Sequence, residues 1–334
     1  MKGVVLRELG GPEKALVDEV DPPTAANGEV VVRIRAAALN RRDLFVTYGQ
    51  YPGIELPSIL GSDGAGVVEE LPPGYRGDHG VGDDVMILPS LDWGDDPRVQ
   101  SPQFRTLGVP KDGTFAELVA VPVDNVFRKP DHLSYAEAAA LPLAGVTAYR
   151  AVVSRGQLQD GETVLITGAG GGVAGFAIQF AAALGAHVLV TSTRAENLEL
   201  ATTLGAAGGI DWSEKDWSAR LKEQGAKVDV VIDSIGGEQF PRLVRLLRAG
   251  GRLVIFGATA GPVPNLVLPH LFLKQLDVRG TSMGNAQEFA DMLELVTHHE
   301  IHPHLGARFP LGEVADAMRL MEAGAPAGKI ILEL

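Results

Sequence analysis

The segment Glu162-Thr-Val-Leu-Ile-Thr-Gly-Ala-Gly-Gly-Gly-Val-Ala-Gly-Phe-Ala-Ile-Gln179 restricts the fold more than any other stretch of this chain. Thr163–Thr167 is a short β-branched apolar run and reads as a buried strand. It enters Gly168, Ala169, Gly170, Gly171 and Gly172, and an apolar helical pattern follows from Val173 to Leu184. Strand, glycine turn and helix bring backbone N–H groups and a helix N-terminus up to a pyrophosphate. Glycine suits the turn because a side chain would block the phosphates and because tight turns visit positive φ. Gly170-x-Gly172-x-x-Gly175 fits the dinucleotide fingerprint, and a register beginning at Ala169 stays open. The bland alternative is a turn that only packs helix on strand. No Gly-Lys-Ser/Thr follows, which argues against a kinase or ATPase phosphate loop.

Around this segment strands and helices alternate. Thr163–Thr167, His187–Thr191, Gly209–Asp211, Val228–Asp233, Arg252–Phe256 and Leu276–Gly280 read as strands. Glu196–Leu204 and Phe240–Arg248 read as helices between them, with Gly185, Gly205 and Gly250 as C-terminal stops. Six strands with crossover helices predict a parallel, doubly wound sheet. The first 125 residues have another texture, with short strands, Gly and Pro. Glu29–Arg35, Ser62–Val68 and Asp84–Leu88 are expected strands of a small antiparallel β domain. A helix is expected after Ser134, with Glu137 completing a capping box. The final segment, Gly328–Leu334, reads as a strand returning to the β domain. Residues 89–113 lack periodicity and are expected to be an excursion with local order or a mobile lobe.

A chain of 334 residues has room for two full cores. Its net charge of −13 argues against nucleic acid and anionic membrane as partners. With no cysteine, disulfides, cysteine–zinc clusters, iron–sulfur clusters and thiol nucleophiles are excluded together. The N-terminal residues lack the apolar core of a signal peptide, and no run of about 18 apolar residues occurs. The expected location is cytoplasmic.

Ala38-Leu-Asn-Arg-Arg-Asp43, Leu60-Gly-Ser-Asp-Gly-Ala-Gly-Val-Val68, Asp112-Gly-Thr-Phe-Ala-Glu117, Ala140-Leu-Pro-Leu-Ala-Gly-Val-Thr-Ala-Tyr149, the glycine turn and Gly328-Lys-Ile-Ile-Leu332 carry a resemblance that covers nearly the whole chain. The chain resembles the medium-chain dehydrogenases/reductases, on the zinc-independent, quinone-oxidoreductase-like (zeta-crystallin-like) side. The resemblance implies an α/β fold. A GroES-like antiparallel β domain spans residues 1–125 and is completed by 297–334. A Rossmann domain with a doubly wound six-stranded parallel sheet spans 126–296. It also implies hydride transfer with NAD(P)H to a small carbonyl or quinone, and a homodimer, with a homotetramer built from it as the alternative. Zinc-binding relatives use a Cys and a His-Glu pair where this chain has Asn40 and Ser62-Asp63. Asparagine and serine are poor zinc ligands, so no metal is expected.

The resemblance also assigns candidate residues. Asn40, Asp43 and Tyr51 match polar positions of a quinone-reductase active site. Asn40 would orient substrate or ribose, Tyr51 would donate a hydrogen bond or proton, and Asp43 would fix its neighbours. The structural alternative is that Asp43 only stabilises a helix and Tyr51 only packs a loop. Thr147 would pass under the nicotinamide. Gly168, Ala169, Gly170, Gly171, Gly172, Val173 and Ala174 would hold the pyrophosphate. The ends of the later strands, at Ser234, Phe256, Gly257, Thr281, Ser282 and Met283, would line the coenzyme. No acid stands at the tip of the second strand. Ser192, Thr193 and Arg194 can hold a 2′-phosphate, so NADPH is expected rather than NADH. Asn197 stands where many NADPH-using relatives have Lys, and Trp212 where relatives often have Tyr near the adenosine; the alternatives are that Arg194 is a solvated helix-start residue and that Trp212 is ordinary packing.

Two other patterns compete. Gly280-Thr-Ser-Met-Gly284 spells the G-x-S-x-G of a hydrolase elbow, with Asp291 and His298 in suitable chain order. Too few strands follow it for that fold. Four histidines in Thr297–His304 read as a helix end rather than a metal site. The alternatives kept open are a zinc-free carbonyl reductase of the alcohol dehydrogenase kind and a non-catalytic NADPH-binding protein.

Overall fold

The computed structural model describes residues 1–26, 28–223 and 227–334. The chain forms two compact units, 1–146 with 284–334, and 147–283.

The first unit opens with β1 (Lys2–Leu6), β2 (Ala15–Glu19) and β3 (Glu29–Ala38), then helix α1 (Arg41–Thr47). There follow β4 (Ser58–Ile59), β5 (Asp63–Glu70), β6 (Asp84–Ile87), β7 (Ser90–Leu91), β8 (Arg105–Thr106), β9 (Leu118–Pro122) and β10 (Val126–Arg128). The long strand β3 lies between antiparallel partners, β5 and β9 among them. Val30, Val32 and Ile34 alternate onto one face and enter the core, whereas Arg33 is half-buried and Arg35 exposed. β7 and β8 pair across the 89–113 excursion, and Trp93 packs edge-on against Phe104 at 5.6 Å. The excursion thus has local order. Helices α2 (Tyr135–Ala140) and α3 (Pro142–Tyr149) follow. Ser134 and Glu137 form the expected capping box on α2.

The second unit holds β11 (Thr163–Thr167), α4 (Gly172–Ala183), β12 (His187–Ser192), α5 (Ala195–Thr203), β13 (Gly208–Asp211), α6 (Trp217–Glu223) and β14 (Val228–Asp233). It continues through α7 (Phe240–Leu246), β15 (Leu247–Ile255), α8 (Pro269–Phe272) and β16 (Asp277–Gly280). Its six strands are parallel, in the order β13-β12-β11-β14-β15-β16. Crossover helices on both faces explain why the central strands read as unbroken apolar runs. Val164, Leu165 and Ile166 of β11 are fully buried, as are Val230, Val231 and Ile232 of β14. Each such side chain contributes about 1.5–3 kcal/mol by leaving water.

α9 (Ala286–His298), β17 (Leu305–Pro310), α10 (Val314–Glu322) and β18 (Lys329–Glu333) complete the first unit. β18 pairs antiparallel with β3, with Ile331 opposite Ala38, so the final strand does return to the β domain.

This division differs from the one read from the sequence at residues 125 and 296. α2 packs on β3 and β5, and Phe289 of α9 packs on Phe127 at 4.7 Å, so both helices belong to the first unit. Helical periodicity marks a buried face but not the sheet that buries it. Gly250 also differs. α7 ends at Leu246, and Gly250 lies inside β15, where the pairing with β14 jumps from Val228↔Leu247 to Val230↔Arg252. The glycine serves a kink in a strand and does not end a helix.

Candidate functional site

At the carboxyl edge of the parallel sheet the strand order reverses between β11 and β14, which is where such sheets bind ligands. Gly168 follows β11 with φ +72°, a conformation that disfavours side chains. Gly168 N and Ala169 N both donate to Thr191 O of β12, at 3.1 and 3.0 Å. The turn is therefore pinned across the two strands. Gly171 N-caps α4 without a side-chain bond, and no acid occupies the first turn. The N–H groups of Gly172, Val173 and Ala174 have no acceptor within the helix, as in any helix start. Gly170 lies so close to Asn197 that a Cβ on it would stand 2.4 Å from the amide nitrogen.

Asn197 in turn donates to Ser192 Oγ at 3.2 Å, and Arg194 N donates to the same oxygen at 3.1 Å. Ser192 is buried at the end of β12, whereas Thr193 and Arg194 are exposed. On the other side, Asp233 at the end of β14 accepts from Thr167 Oγ1, Ile235 N and Gly236 N. Ser234 N donates to Thr167 Oγ1 at 3.2 Å. A Cβ on Gly257 would meet Ser234 O at 2.9 Å, so these two loops touch through backbone. Phe256 is half-buried beside them. Thr281 N donates to Ile255 O, and its buried hydroxyl has no partner among the described residues; the same holds for the Thr191 hydroxyl. Thr147 is buried on α3.

An uncapped helix start, a turn cleared of side chains and orphaned buried hydroxyls fit a dinucleotide. Trp212 is the outlier. Its ring is buried edge-on against Trp217 at 6.3 Å in the apolar core. Ser282 is exposed, and the left-handed residue of its turn is Met283, φ +56°. A hydrolase elbow would place that strain on the serine. Asp291 instead pairs with Gln287 one turn away on α9.

The first unit contains a buried polar cluster. Asn40 N-caps α1, and its N–H donates to Asp43 Oδ2 at 2.8 Å. Its side chain reaches both Asp63 and Lys329. Arg42 donates to Ser62 Oγ at 2.5 Å and to Leu107 O at 3.0 Å, and its guanidinium lies 4.6 Å from the centroid of the half-buried Tyr51 ring. Burial pushes the Asp43 carboxyl up to about 6, against the pull of Arg42. Asn40 and Asp43 thus belong to one hydrogen-bonded unit, with Tyr51 held at its edge by Arg42. Sequence reasoning missed Arg42, Lys329, Thr167 and Asp233. A lysine opening the apolar strand Lys329–Glu333 was the available signal for one of them.

Two family models match the chain: an alcohol dehydrogenase GroES-like domain over residues 26–131 and a zinc-binding dehydrogenase over residues 172–298. A zinc-type alcohol dehydrogenase-like protein of Leptosphaeria maculans is 33% identical, over 94% of this chain and 93% of its own. This chain is a medium-chain dehydrogenase/reductase. A quinone oxidoreductase of Pseudomonas aeruginosa is 31% identical over 99% of both chains. The crystal structure of an NAD-dependent alcohol dehydrogenase superposes with a TM-score of 0.95, at 36% identity over the full length of both. The expected GroES-like and Rossmann architecture is thereby met.

The family description names zinc, and the residues at its place do not suit it. Asn40, Ser62 and Asp63 offer only oxygen, with neither imidazole nor thiolate. Those oxygens already serve Lys329 and Arg42, two buried cations that would repel a third. Among the described residues no three His, Cys, Asp or Glu side chains converge as a metal site. His302 pairs with Glu137 at 2.8 Å and packs on His132. No described helix is long and apolar enough to cross a membrane.

Proposed function

We propose that this medium-chain dehydrogenase/reductase reduces quinones or α,β-unsaturated carbonyl compounds with NADPH and without zinc. The cluster of Asn40, Asp63 and Lys329 carries the reading, because it stands where relatives hold a Lewis acid and offers hydrogen bonds instead. Saturated carbonyls need strong polarisation before accepting hydride. A conjugated acceptor needs less, since its charge spreads onto an enolate or hydroquinone oxygen that hydrogen bonds can stabilise. The bound coenzyme supplies the hydride. Asn40 would orient the acceptor's oxygen, Tyr51 would donate to it, and Asp43 would hold Asn40 in place. The similarity to a quinone oxidoreductase supports this choice.

Ser192, Arg194 and Asn197 favour NADPH by offering a hydroxyl, a cation and an amide where an NAD site usually has a carboxylate. The NAD-dependent relative keeps the other coenzyme in the test. The reading also carries a cytoplasmic location and a homodimer formed through the open edge of β16. Val278 of β16 is exposed, as are Leu268, Phe272 and Leu273 in the segment that leads into it.

The test is coenzyme oxidation, with NADPH and NADH in parallel, against 1,4-benzoquinone, 9,10-phenanthrenequinone, crotonaldehyde and butanal. Turnover of the conjugated acceptors is expected to exceed that of butanal. Turnover of butanal alone would favour a carbonyl reductase. Coenzyme binding without any turnover would favour a non-catalytic role.

A further inference from the structure

The surroundings of Asn40 allow its amide only one orientation. An asparagine side chain has an oxygen that only accepts and a nitrogen that only donates. Lys329 Nζ donates to Asn40 Oδ1 at 2.8 Å. Asp63 Oδ2 accepts from Asn40 Nδ2 at 2.9 Å. An ammonium cannot accept and a carboxylate cannot donate. Rotating the amide by half a turn would set NH2 against ammonium and carbonyl against carboxylate. Both contacts would be repulsive among groups that are almost wholly buried, at 4% exposure for Lys329 and 0% for Asp63. Low local dielectric raises the cost of such a mismatch.

We propose that Lys329 and Asp63 are positioning residues that lock the Asn40 amide so that its second N–H is a fixed donor to a ligand oxygen. This inference rests on the reading of Asn40 as an active-site group. The network is closed in every other direction. Lys329 gives its remaining hydrogens to Leu39 O at 2.8 Å and Asp63 Oδ2 at 3.0 Å. Asp63 Oδ1 accepts from Leu143 N at 2.8 Å. Lys329 therefore has no donor left for a substrate, and it acts through Asn40. The second Nδ2 hydrogen has no acceptor among the described residues. What Asn40 recognises is consequently an acceptor: a carbonyl, quinone or enolate oxygen, or a ribose hydroxyl receiving through its lone pair. An ammonium or an amide N–H would find no partner there.

The test uses the full chain, NADPH and 9,10-phenanthrenequinone. Asn40→Ala is compared with the pair Lys329→Met and Asp63→Asn, which removes both charges together and leaves none buried alone. An asparagine at position 63 can donate or accept, so the Asn40 amide regains both orientations. The double variant is expected to lose about tenfold in kcat, the worth of one misplaced hydrogen bond. The quinone KM and the NADPH Kd are expected to stay within about twofold, since the fixed donor acts mainly on the developing oxyanion. Adding Asn40→Ala to the double variant is expected to cost less than Asn40→Ala costs alone, because both changes act on the same interaction. Additive losses, or wild-type kcat in the double variant beside an impaired Asn40→Ala, would overturn the positioning role and leave the active-site reading standing. Wild-type kinetics in Asn40→Ala would overturn that reading and the positioning role with it.

Should the charge-free pair not fold, the unaltered protein gives a second measurement. The two side-chain amide protons of Asn40, assigned by their loss in Asn40→Ala, are followed by NMR as NADP+ and the hydroquinone are added. One proton is expected to move while the proton bonded to Asp63 stays in place. Equal movement of both, or of neither, would count against the lock.

Discussion

Gly170 and Asn197 occupy one space: a Cβ on the glycine would stand 2.4 Å from the asparagine amide nitrogen. The glycine turn and the start of α5 are thereby coupled through a side chain, which Ser192 Oγ holds from the other side. Gly170→Ala is expected to keep the fold, because the obstructing atom ends a flexible side chain that can swing away. On the proposed reading, displacing Asn197 would loosen the end of the site that takes the coenzyme's 2′-phosphate. NADPH binding should weaken by about tenfold, the scale of one hydrogen bond, while the thermal midpoint moves little. Unchanged affinity measured by fluorescence titration would uncouple the two residues.

Arg194 is exposed at the N-cap of α5, beside Ser192. A charged hydrogen bond contributes roughly 1.5–3 kcal/mol, and exposure puts it at the lower end. NADPH is therefore expected to bind about tenfold more tightly than NADH, with the stronger salt dependence. Arg194→Glu is expected to abolish the preference. Dissociation constants for both coenzymes at two salt concentrations decide the matter, and a variant that still prefers NADPH would refute the assignment.

Chelation is expected to leave activity unchanged. Asn40, Ser62 and Asp63 are engaged with Lys329 and Arg42 and leave no lone-pair set for zinc. Elemental analysis after dialysis against 1,10-phenanthroline, paired with activity, checks this. Stoichiometric zinc whose removal stops turnover would sink the proposal.

The Asp43 carboxyl has a folded pKa of about 6 against 3.8 for the free group, chiefly through burial. A raised folded value means that the native state holds the proton more tightly. This contribution to stability is full below about pH 4 and is lost as pH rises through about 6. The difference of about two units corresponds to something on the order of 2–3 kcal/mol. Asp43→Asn keeps an acceptor for Asn40 N and removes the titration. Its stability relative to wild type should rise between about pH 4 and pH 7. Urea unfolding midpoints across that range provide the check, and parallel profiles would show that Asp43 does not titrate there.

β16 ends the parallel sheet with an open edge, and Phe272 and Leu273, in the segment leading into it, are 63% and 74% exposed. A second copy pairing edge to edge would cover both. Wild type should sediment as a dimer at micromolar concentration, and Phe272→Glu with Leu273→Glu as a folded monomer. A wild-type mass of one chain would rule the dimer out.

The sequence by itself determined the elements whose signal is local. β11, β14 and α4 follow from unbroken apolar runs beside glycine, since a strand covered on both faces has no polar position to show. The presence of Asn40 and Ser62 and the lack of cysteine were legible in the same way, because they depend on residue type alone. The polar cluster was not. Asn40 and Lys329 are 289 positions apart, and they meet because β18 pairs with β3 in one register, Ile331 opposite Ala38. A shift of one residue would turn Lys329 to the other face of the sheet. Sequence spacing carries no record of that register. Only the tertiary structure could decide that a lysine in an apolar strand donates to the asparagine side chain, or that Trp212 packs against Trp217.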